Sequence, residues 1–213
     1  LVWWRPYFKV LSKTKVTERQ AKLKKIIGAA KPVTPGRCVY SDPNFLILGW
    51  LIEEKMQMPL DEAAKKYLFS PMGLKNTFFV RHFEKRLKQN FAPTGRTKMR
   101  GTIKGVVHDD NCWALGGVAG HAGLFSTLQD VARIGRVFFE IWLKDSHPKV
   151  LRKKTVRFFT KRSTPTRIGD WAMGFTVPSR PSSTGGQNVS RESFGHTGFV
   201  GTSLWFDTKR KTV

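Results

Sequence analysis

The sequence is short of acidic residues. Asp and Glu total 15 of the 213 residues, against 38 Lys and Arg, and the formal net charge is +23. An excess of positive charge on this scale attracts nucleic acid, anionic lipid or acidic polysaccharide. No zinc-finger, RNA-binding or helix-turn-helix signature accompanies the charge. A solvated basic surface and a polyanion-binding role within a ribonucleoprotein therefore both stay open.

The sequence also has few cysteines and no long hydrophobic run. Cys38 and Cys112 are too few for a disulfide framework and lack metal-ligand spacing, although a single disulfide stays open. Cys112 lies in an apolar run, which favours a buried thiol. No stretch reaches the roughly 18 apolar residues of a transmembrane helix. Arg5 and Pro6 interrupt the first apolar stretch, so it does not resemble a signal peptide, and we expect further sequence before Leu1.

The sequence predicts helices between early loops and late strands, with short strands or loops at Phe78–Val107. Asp42 as an N-cap, with Pro43 in the first turn, predicts a strong helix. The buried face of this helix is expected to carry Phe45, Leu46, Leu48, Gly49 and Ile52. A capping box at Ser126–Gln129 predicts an amphipathic helix that ends near Leu143. The other predicted elements are a basic helix at Thr17–Ala30, helices at Leu60–Leu68 and Leu151–Phe159, and two adjacent strands within Ser193–Asp207.

Tyr40, Ser41 and Asp42 stand at the start of the strong helix. A tyrosine just before a helix can point into a cleft, and its phenol can act as a general base if nearby cations stabilise the phenolate. The ordinary phenol pKa of about 10 is too high for that task without such help. Short tripeptides recur by chance, and Asp42 is already explained as a cap. A purely structural role therefore stays open beside the catalytic one.

A second candidate site lies in the glycine-bearing segment Phe194–Trp205. A strand that carries His196 and Thr197, followed by Gly198, would let a ligand lie along an open edge, because glycine has no side chain to block the approach. The backbone N–H after that glycine can donate to an oxyanion. A structural strand whose glycines form a bulge is the alternative interpretation.

A third group of polar residues comprises His108–Asn111 and His121, which belongs to the glycine-rich loop Gly116–Gly123. His and Asp are metal ligands, but this spacing matches no standard site, so we expect no metal. The loop has no Gly-Lys-Ser/Thr ending, which argues against phosphate binding. The favoured role for these side chains is to fix loops by hydrogen bonding, and no cofactor is expected.

Taken together and in this order, these segments resemble the family of penicillin-binding proteins and class C beta-lactamases. Four segments carry the resemblance: Pro35–Gly49 is similar to the family's middle motif, Ser70–Thr77 to its Pro-Leu-Gly-Met-x-Asp-Thr turn, Gly116–Asp130 to its glycine loop and following helix, and His196–Gly198 to its last motif, usually Lys-Thr-Gly. The resemblance covers residues 32–208, after a basic N-terminal segment at 1–31.

The resemblance implies an α/β (α+β) fold of the beta-lactamase/transpeptidase type, in which a helical region packs on an antiparallel sheet. Residues 1–213 are expected to form a single, partial domain. The strand after the last motif should pair with another that begins near Thr212. The sheet is therefore expected to be incomplete and to need missing segments or a partner chain, because an unpaired strand edge is exposed.

The resemblance also implies roles for individual residues. Tyr40 would be the general base or proton shuttle, and Asp42 would take a place usually held by Asn. An ionised carboxylate only accepts hydrogen bonds, so donation by Asp42 to a substrate amide is in doubt. His196 and Thr197 would bind the carboxylate or carbonyl side of the substrate, and the backbone N–H of Phe199 would be one oxyanion donor. Tyr40 and His196 are expected to face one cleft.

The nucleophile of the family is the serine of a Ser-x-x-Lys motif. Ser12 and Lys15 match the motif literally, but the segment Val16–Lys25 is highly polar, and only 24 residues separate Lys15 from Tyr40. We therefore expect the nucleophile segment to be missing. The leading hypothesis is part of a serine hydrolase of the bacterial envelope that acts on esters or amides such as cell-wall peptides or β-lactams. The alternative is a catalytically inactive relative with a structural, polyanion-binding or RNA-binding role.

Overall fold

The computed structural model describes residues 5–31, 38–82, 90–144, 146–147, 149–179 and 183–213. These residues belong to two compact units. The first unit comprises Leu1–Lys66 and Asn76–Ser126, and the second comprises Tyr67–Lys75 and Thr127–Val213. The predicted motif at Pro35–Gly49 begins in the gap at 32–37. None of the described helices combines the length and the hydropathy that crossing a bilayer requires.

The first unit is built mainly of helices. They are α1 (Phe8–Leu11), a 3-10 turn (Val16–Glu18), α2 (Arg19–Gly28), α3 (Asp42–Met56), α4 (Leu60–Ala64) and α5 (Asp110–Ala114). A π-helical stretch, Lys65–Phe69, continues α4. The apolar core of the unit contains Leu11, Leu23, Ile27, Leu46, Val107, Cys112 and Ala119. The predicted helix at Thr17–Ala30 is thus confirmed with shorter ends, and the one at Leu60–Leu68 is confirmed as α4 and its π-helical continuation.

Two small antiparallel sheets complete the first unit. Strand β1 (Phe78–Phe79) pairs with β4 (Leu124–Phe125), and β2 (Gly95–Thr97) pairs with β3 (Gly101–Ile103). Cys112 is fully buried and Cys38 is exposed, and both are free thiols. The expectation of a buried thiol at Cys112 is confirmed, and the disulfide left open by the sequence is not formed.

The start and the buried face of α3 differ from the prediction. Ser41 is the N-cap and Asp42 is the first helical residue, so the assignment of Asp42 as the cap is wrong by one position. The expected burial of Leu48 and Ile52 is also wrong, since they are 52% and 41% exposed. Helix α3 carries apolar side chains of its own on every side, so the sequence pattern cannot identify the face that packs against the rest of the unit. Close backbone contact with the glycine loop selects that face, because a Cβ on Gly49 would lie only 3.3 Å from the Gly120 nitrogen.

Two helices and a hairpin are found among the described residues of the second unit. They are α6 (Leu128–Lys144), α7 (Lys153–Thr160), β5 (Phe194–Thr197) and β6 (Ser203–Phe206). Strands β5 and β6 pair antiparallel, as predicted. The buried core residues are Ala172, Val177, Phe194 and Phe206, with Phe138, Phe139, Trp142, Phe175 and Leu204 packed against them.

The N-cap of α6 also lies one residue away from its predicted position. The backbone N–H of Asp130 donates to Thr127 Oγ1 at 3.3 Å, so the capping threonine is Thr127. The Ser126 hydroxyl forms a hydrogen bond with Thr77 Oγ1 at 2.9 Å instead. The prediction of a capping box led by Ser126 is therefore wrong, although the helix it predicted is present.

Candidate active site

In the first unit, Tyr40 precedes the α3 cap and is 39% exposed. Its electrostatic surroundings oppose a phenolate. Burial raises the pKa of the Tyr40 phenol above its ordinary value, and the carboxylates of Asp42 and Asp109 raise it further. The resting side chain is therefore a neutral phenol, which can accept a proton only while giving up its own.

Asp42 lies in a buried cluster with Asp109 and His121. One carboxylate or ring-nitrogen atom from each residue lies within 4.8 Å of the other two. Asp109 is the N-cap of α5, and its Oδ1 accepts hydrogen bonds from the Cys112 backbone N–H at 2.7 Å and from His121 Nε2 at 3.0 Å. The cluster thus joins the start of α3, the start of α5 and the glycine loop.

The two carboxyl groups of the cluster respond differently to this environment. Burial raises the pKa of Asp42, His121 opposes the rise, and the Asp109 charge adds to it. Burial also disfavours ionisation of Asp109, but the hydrogen bond and charge of His121 and the backbone N–H groups of Cys112 and Asn111 outweigh it, so the pKa of Asp109 falls. Asp109 is therefore the firmly ionised member of the pair.

The glycine loop brings His121 to this cluster through close backbone packing. Gly117 has φ +96°, and a Cβ there would overlap the Val80 carbonyl oxygen. A Cβ on Gly120 would overlap the carbonyl oxygen of Phe45 on α3. The expected loop-fixing role of this region is consistent with these contacts. No sequence pattern predicts that Asp42 joins the cluster, because Asp42 and Asp109 belong to distant segments without a shared motif.

The neighbours of Asp109 in the sequence have other partners. The His108 ring bonds to Thr94, through both the backbone carbonyl and the hydroxyl at 3.2 Å. Asp110 accepts a hydrogen bond from Arg100 Nη2 at 2.6 Å. Of the four residues His108–Asn111, only Asp109 therefore belongs to the cluster with Asp42 and His121.

In the second unit, His196 and Thr197 end strand β5. They pair in register with Leu204 and Ser203 of β6. On the other edge of β5, Thr176 exchanges two backbone hydrogen bonds with Gly195, at 2.7 and 2.9 Å. His196 and Thr197 lie beyond that bridge. The bridge from Thr176 thus reaches β5 at Gly195, next to His196 and Thr197.

A tight glycine turn follows the strand. The Gly198 N–H donates to the Thr202 carbonyl at 2.6 Å, and the Gly201 N–H donates to the Gly198 carbonyl at 3.2 Å. Phe199 lies in this turn and is 79% exposed. His196 Nδ1 lies 2.7 Å from the Thr197 carbonyl oxygen. The oxyanion role expected for the Phe199 N–H stays a prediction, as does the meeting of Tyr40 and His196 at one cleft.

Ser12 lies at the end of a helix. It follows α1 directly as its C-cap, and its hydroxyl donates to the Lys9 carbonyl at 3.2 Å. The Ser-x-x-Lys motif requires its serine at a helix start, close to the lysine one turn later. Residues 146–149 are a second literal match to Ser-x-x-Lys, beside the one at Ser12 and Lys15. They follow the end of α6, and Pro148 lies outside the described residues.

Two cavities lie away from these candidate residues. In the first unit, a cavity of about 300 Å³ is lined by residues that include Trp50, Glu53 and Arg81. In the second unit, a polar cavity of about 1010 Å³ is lined by residues that include Arg162 and Arg191. Neither is lined by a predicted site residue, so cavity shape alone does not locate the candidate site.

Solved structures define the class of fold. A penicillin binding protein from Bacillus halodurans superposes with a TM-score of 0.66 at 11% identity, over 98% of this chain and 60% of that one. An octameric penicillin-binding protein homologue from Pyrococcus abyssi gives 0.60 at 17% identity, over 98% of this chain and 43% of that one. The fold is therefore of the beta-lactamase/transpeptidase type, which confirms the predicted α+β class.

Sequence comparison identifies the family. The family model described as Beta-lactamase matches residues 3–213, so the chain belongs to the beta-lactamase family. A Salmonella agona (strain SL483) protein named "Putative D-alanyl-D-alanine carboxypeptidase" is 33% identical over 192 residues, covering 79% of this chain and 42% of that protein. The chain thus spans less than half the length of this curated relative. The resemblance inferred from the motifs is confirmed.

Proposed function

We propose that the protein is a serine hydrolase that cleaves peptides ending in D-alanyl-D-alanine, or related amides and esters, through an acyl-enzyme. The observation that carries this proposal is strand β5, whose His196-Thr197 segment runs past the Gly195 bridge into a glycine turn. A peptide aligned along that edge places its scissile carbonyl near the backbone N–H groups of the turn. The 33% identity to a relative named as a carboxypeptidase supports the choice of substrate.

In the proposed reaction, a serine oxygen attacks the carbonyl carbon of the terminal peptide bond. Tyr40 accepts the serine proton as it gives its own proton to the leaving D-alanine nitrogen. An acyl-enzyme ester forms, and water later hydrolyses it to release the shortened peptide and regenerate the serine. The raised pKa of Tyr40 favours this shuttle over a resting phenolate base. Asp42 is only 9% exposed, so we propose that it supports the start of α3 and does not contact substrate.

A fluorescent penicillin tests this proposal because it traps the acyl-enzyme. We expect covalent labelling, and release of D-alanine from a D-alanyl-D-alanine peptide, for a polypeptide that joins this chain to the Ser-x-x-Lys segment expected to be missing. Tyr40→Phe should slow both by about 10²–10⁴-fold, the usual range for loss of a proton-transfer group. Tyr67→Phe is the matched control, since Tyr67 lies in the π-helical stretch and is 42% exposed. Ser12→Ala, with peptide mapping of the label, shows whether Ser12 is the nucleophile.

If that joined polypeptide folds but neither binds the label nor releases D-alanine, the hydrolase proposal is contradicted and a second candidate is favoured. That candidate is an inactive relative that binds polyanions, and the net charge of +23 supports it. Helix α7 is one exposed basic surface, with Lys154 and Arg157 on it and Lys161 directly after it. Retention on heparin that falls steeply with salt, and falls further in Lys154→Glu/Arg157→Glu, is the result expected for this candidate.

A further inference from the structure

The cluster of Asp42, Asp109 and His121 has no part in the proposed hydrolysis. Asp42 is 9% exposed, and the side chains of His121 and Asp109 are 4% and 13% exposed. Their ligand atoms lie within 4.8 Å of one another. Three groups that can each bind a metal ion are thus held together in a largely buried position.

Two carboxylates at this distance repel each other when both are ionised. Removal from water strengthens that repulsion. A cation bound between the two carboxylates would offset it.

Buried polar atoms without partners favour the bound cation. The described residues offer no hydrogen-bond partner to His121 Nδ1 or to the hydroxyl of Ser41, the residue before Asp42. Ser41 is only 2% exposed. Buried polar groups are nearly always paired, so unpaired atoms on and beside the cluster indicate a polar ligand. The His121 Nε2 N–H donates to Asp109 Oδ1 at 3.0 Å, so these two candidate ligands already face each other.

We infer that Asp42, Asp109 and His121 bind one divalent first-row metal ion of the Mn²⁺ or Zn²⁺ kind. An ion can lie within about 2.8 Å of three atoms that are at most 4.8 Å apart. Coordination at about 2.0–2.2 Å then requires each side chain to move by less than an ångström. One imidazole and two carboxylates are a donor set that these ions accept.

Such an ion would link three segments that are distant in the sequence. It would fix the first turn of α3 to the α5 cap and to the glycine loop, with Tyr40 two residues before the first ligand. Metal binding does not rest on the proposed hydrolysis, and a binding measurement tests it separately. The two proposals can therefore fail independently.

The test uses the full chain without a polyhistidine tag, after treatment with EDTA. Electron paramagnetic resonance of added Mn²⁺ should show one bound ion per chain, and Zn²⁺ should displace it. Asp109→Asn and His121→Gln should each weaken Mn²⁺ binding by more than about tenfold. His147→Gln is the control, because His147 pairs with Glu140 of α6 and should leave the affinity unchanged.

Absence of stoichiometric Mn²⁺ binding by the folded chain overturns the inference. Unchanged affinity in both Asp109→Asn and His121→Gln overturns it as well. If either variant fails to fold, the unfolding temperature of the native sequence tests the metal site instead. Added Zn²⁺ should raise it and EDTA should reverse the rise, and a Zn²⁺-independent temperature rejects the site.

Discussion

The two units hold their candidate residues in different ways. In the first unit, Asp42, which follows Tyr40 by two residues, lies in a buried polar cluster with Asp109 and His121 from distant segments. In the second unit, His196 lies on a hairpin whose strands also carry the aromatic residues Phe194 and Phe206 of the core. Polar contacts are directional and fail when one partner is lost, whereas an aromatic core tolerates small changes in shape. The first site should therefore be sensitive to single polar substitutions and the second to loss of ring volume.

The largest expected effect is Phe206→Ala in the second unit. Phe206 is 2% exposed, and its ring stacks on Phe194 with centroids 4.8 Å apart and lies 5.4 Å from Phe138. Removing the ring leaves a cavity and should lower the free energy of unfolding by about 3–5 kcal/mol, measured by urea titration. Phe158→Ala removes a phenyl ring from a residue that is 61% exposed, and it should change the free energy of unfolding by less than about 0.5 kcal/mol. Equal losses would show that the aromatic core does not hold this unit together.

Asn111→Ala tests the polar character of the first unit. Asn111 is fully buried, and its amide accepts from the Phe8 N–H at 3.0 Å and donates to the Arg5 carbonyl at 2.9 Å. Truncation leaves two backbone groups without a hydrogen-bond partner. We therefore expect the free energy of unfolding, measured with denaturant, to fall by about 2–4 kcal/mol. Asn44→Ala, on the exposed side of α3, is the control and should be nearly neutral. A small loss at Asn111 would contradict the contrast between the two units.

Asp207→Asn shows how far a polar contact also matters in the second unit. Its buried carboxylate accepts hydrogen bonds from the backbone N–H groups of Ser190, Lys209 and Arg210, and from the Arg210 side chain at 2.9 Å. Burial opposes ionisation, but these hydrogen bonds outweigh it and hold the pKa of Asp207 below its ordinary value. The substitution should therefore lower stability by about 1–3 kcal/mol at neutral pH.

The pH dependence of that loss follows from the lowered pKa. The stabilisation is fully present above the unfolded pKa of about 3.9 and disappears as the pH falls through the lower folded value. The difference between native sequence and variant, measured by urea titration from pH 7 to pH 2, should therefore shrink at the acid end. The exposed substitution Glu192→Gln serves as the control. A difference that stays constant with pH would mean that the Asp207 charge contributes nothing.

The smallest expected effect concerns the cap of α6. Thr127→Ala removes the acceptor of the Asp130 N–H and should lower stability by about 1 kcal/mol. Hydrogen exchange at the first α6 amides should become faster in this variant. Ser126→Ala should leave those amides unchanged, because its hydroxyl bonds to Thr77. If exchange becomes faster in Ser126→Ala and stays unchanged in Thr127→Ala, Ser126 would be the cap, as the sequence predicted.

Much of the fold was predictable because local signals agree. Asp42-Pro43 marks the start of α3 to within one residue, and the periodic apolar pattern after Thr127 identifies α6. The glycines around His196-Thr197 indicate a hairpin. Cap positions were wrong by one residue at both helices, because neighbouring Ser, Thr and Asp side chains all suit a cap. The backbone geometry selects one of them.

The sequence by itself determined the helices, the late hairpin, the family and the segments that carry its motifs, since each depends on neighbours along the chain. Tertiary structure alone decided which side of α3 is buried and that Asp42 joins Asp109 and His121. Both outcomes depend on the close approach of Gly120 to α3, a contact between segments more than 70 positions apart. No local pattern specifies such a contact, because the shape and packing of the whole unit bring the segments together.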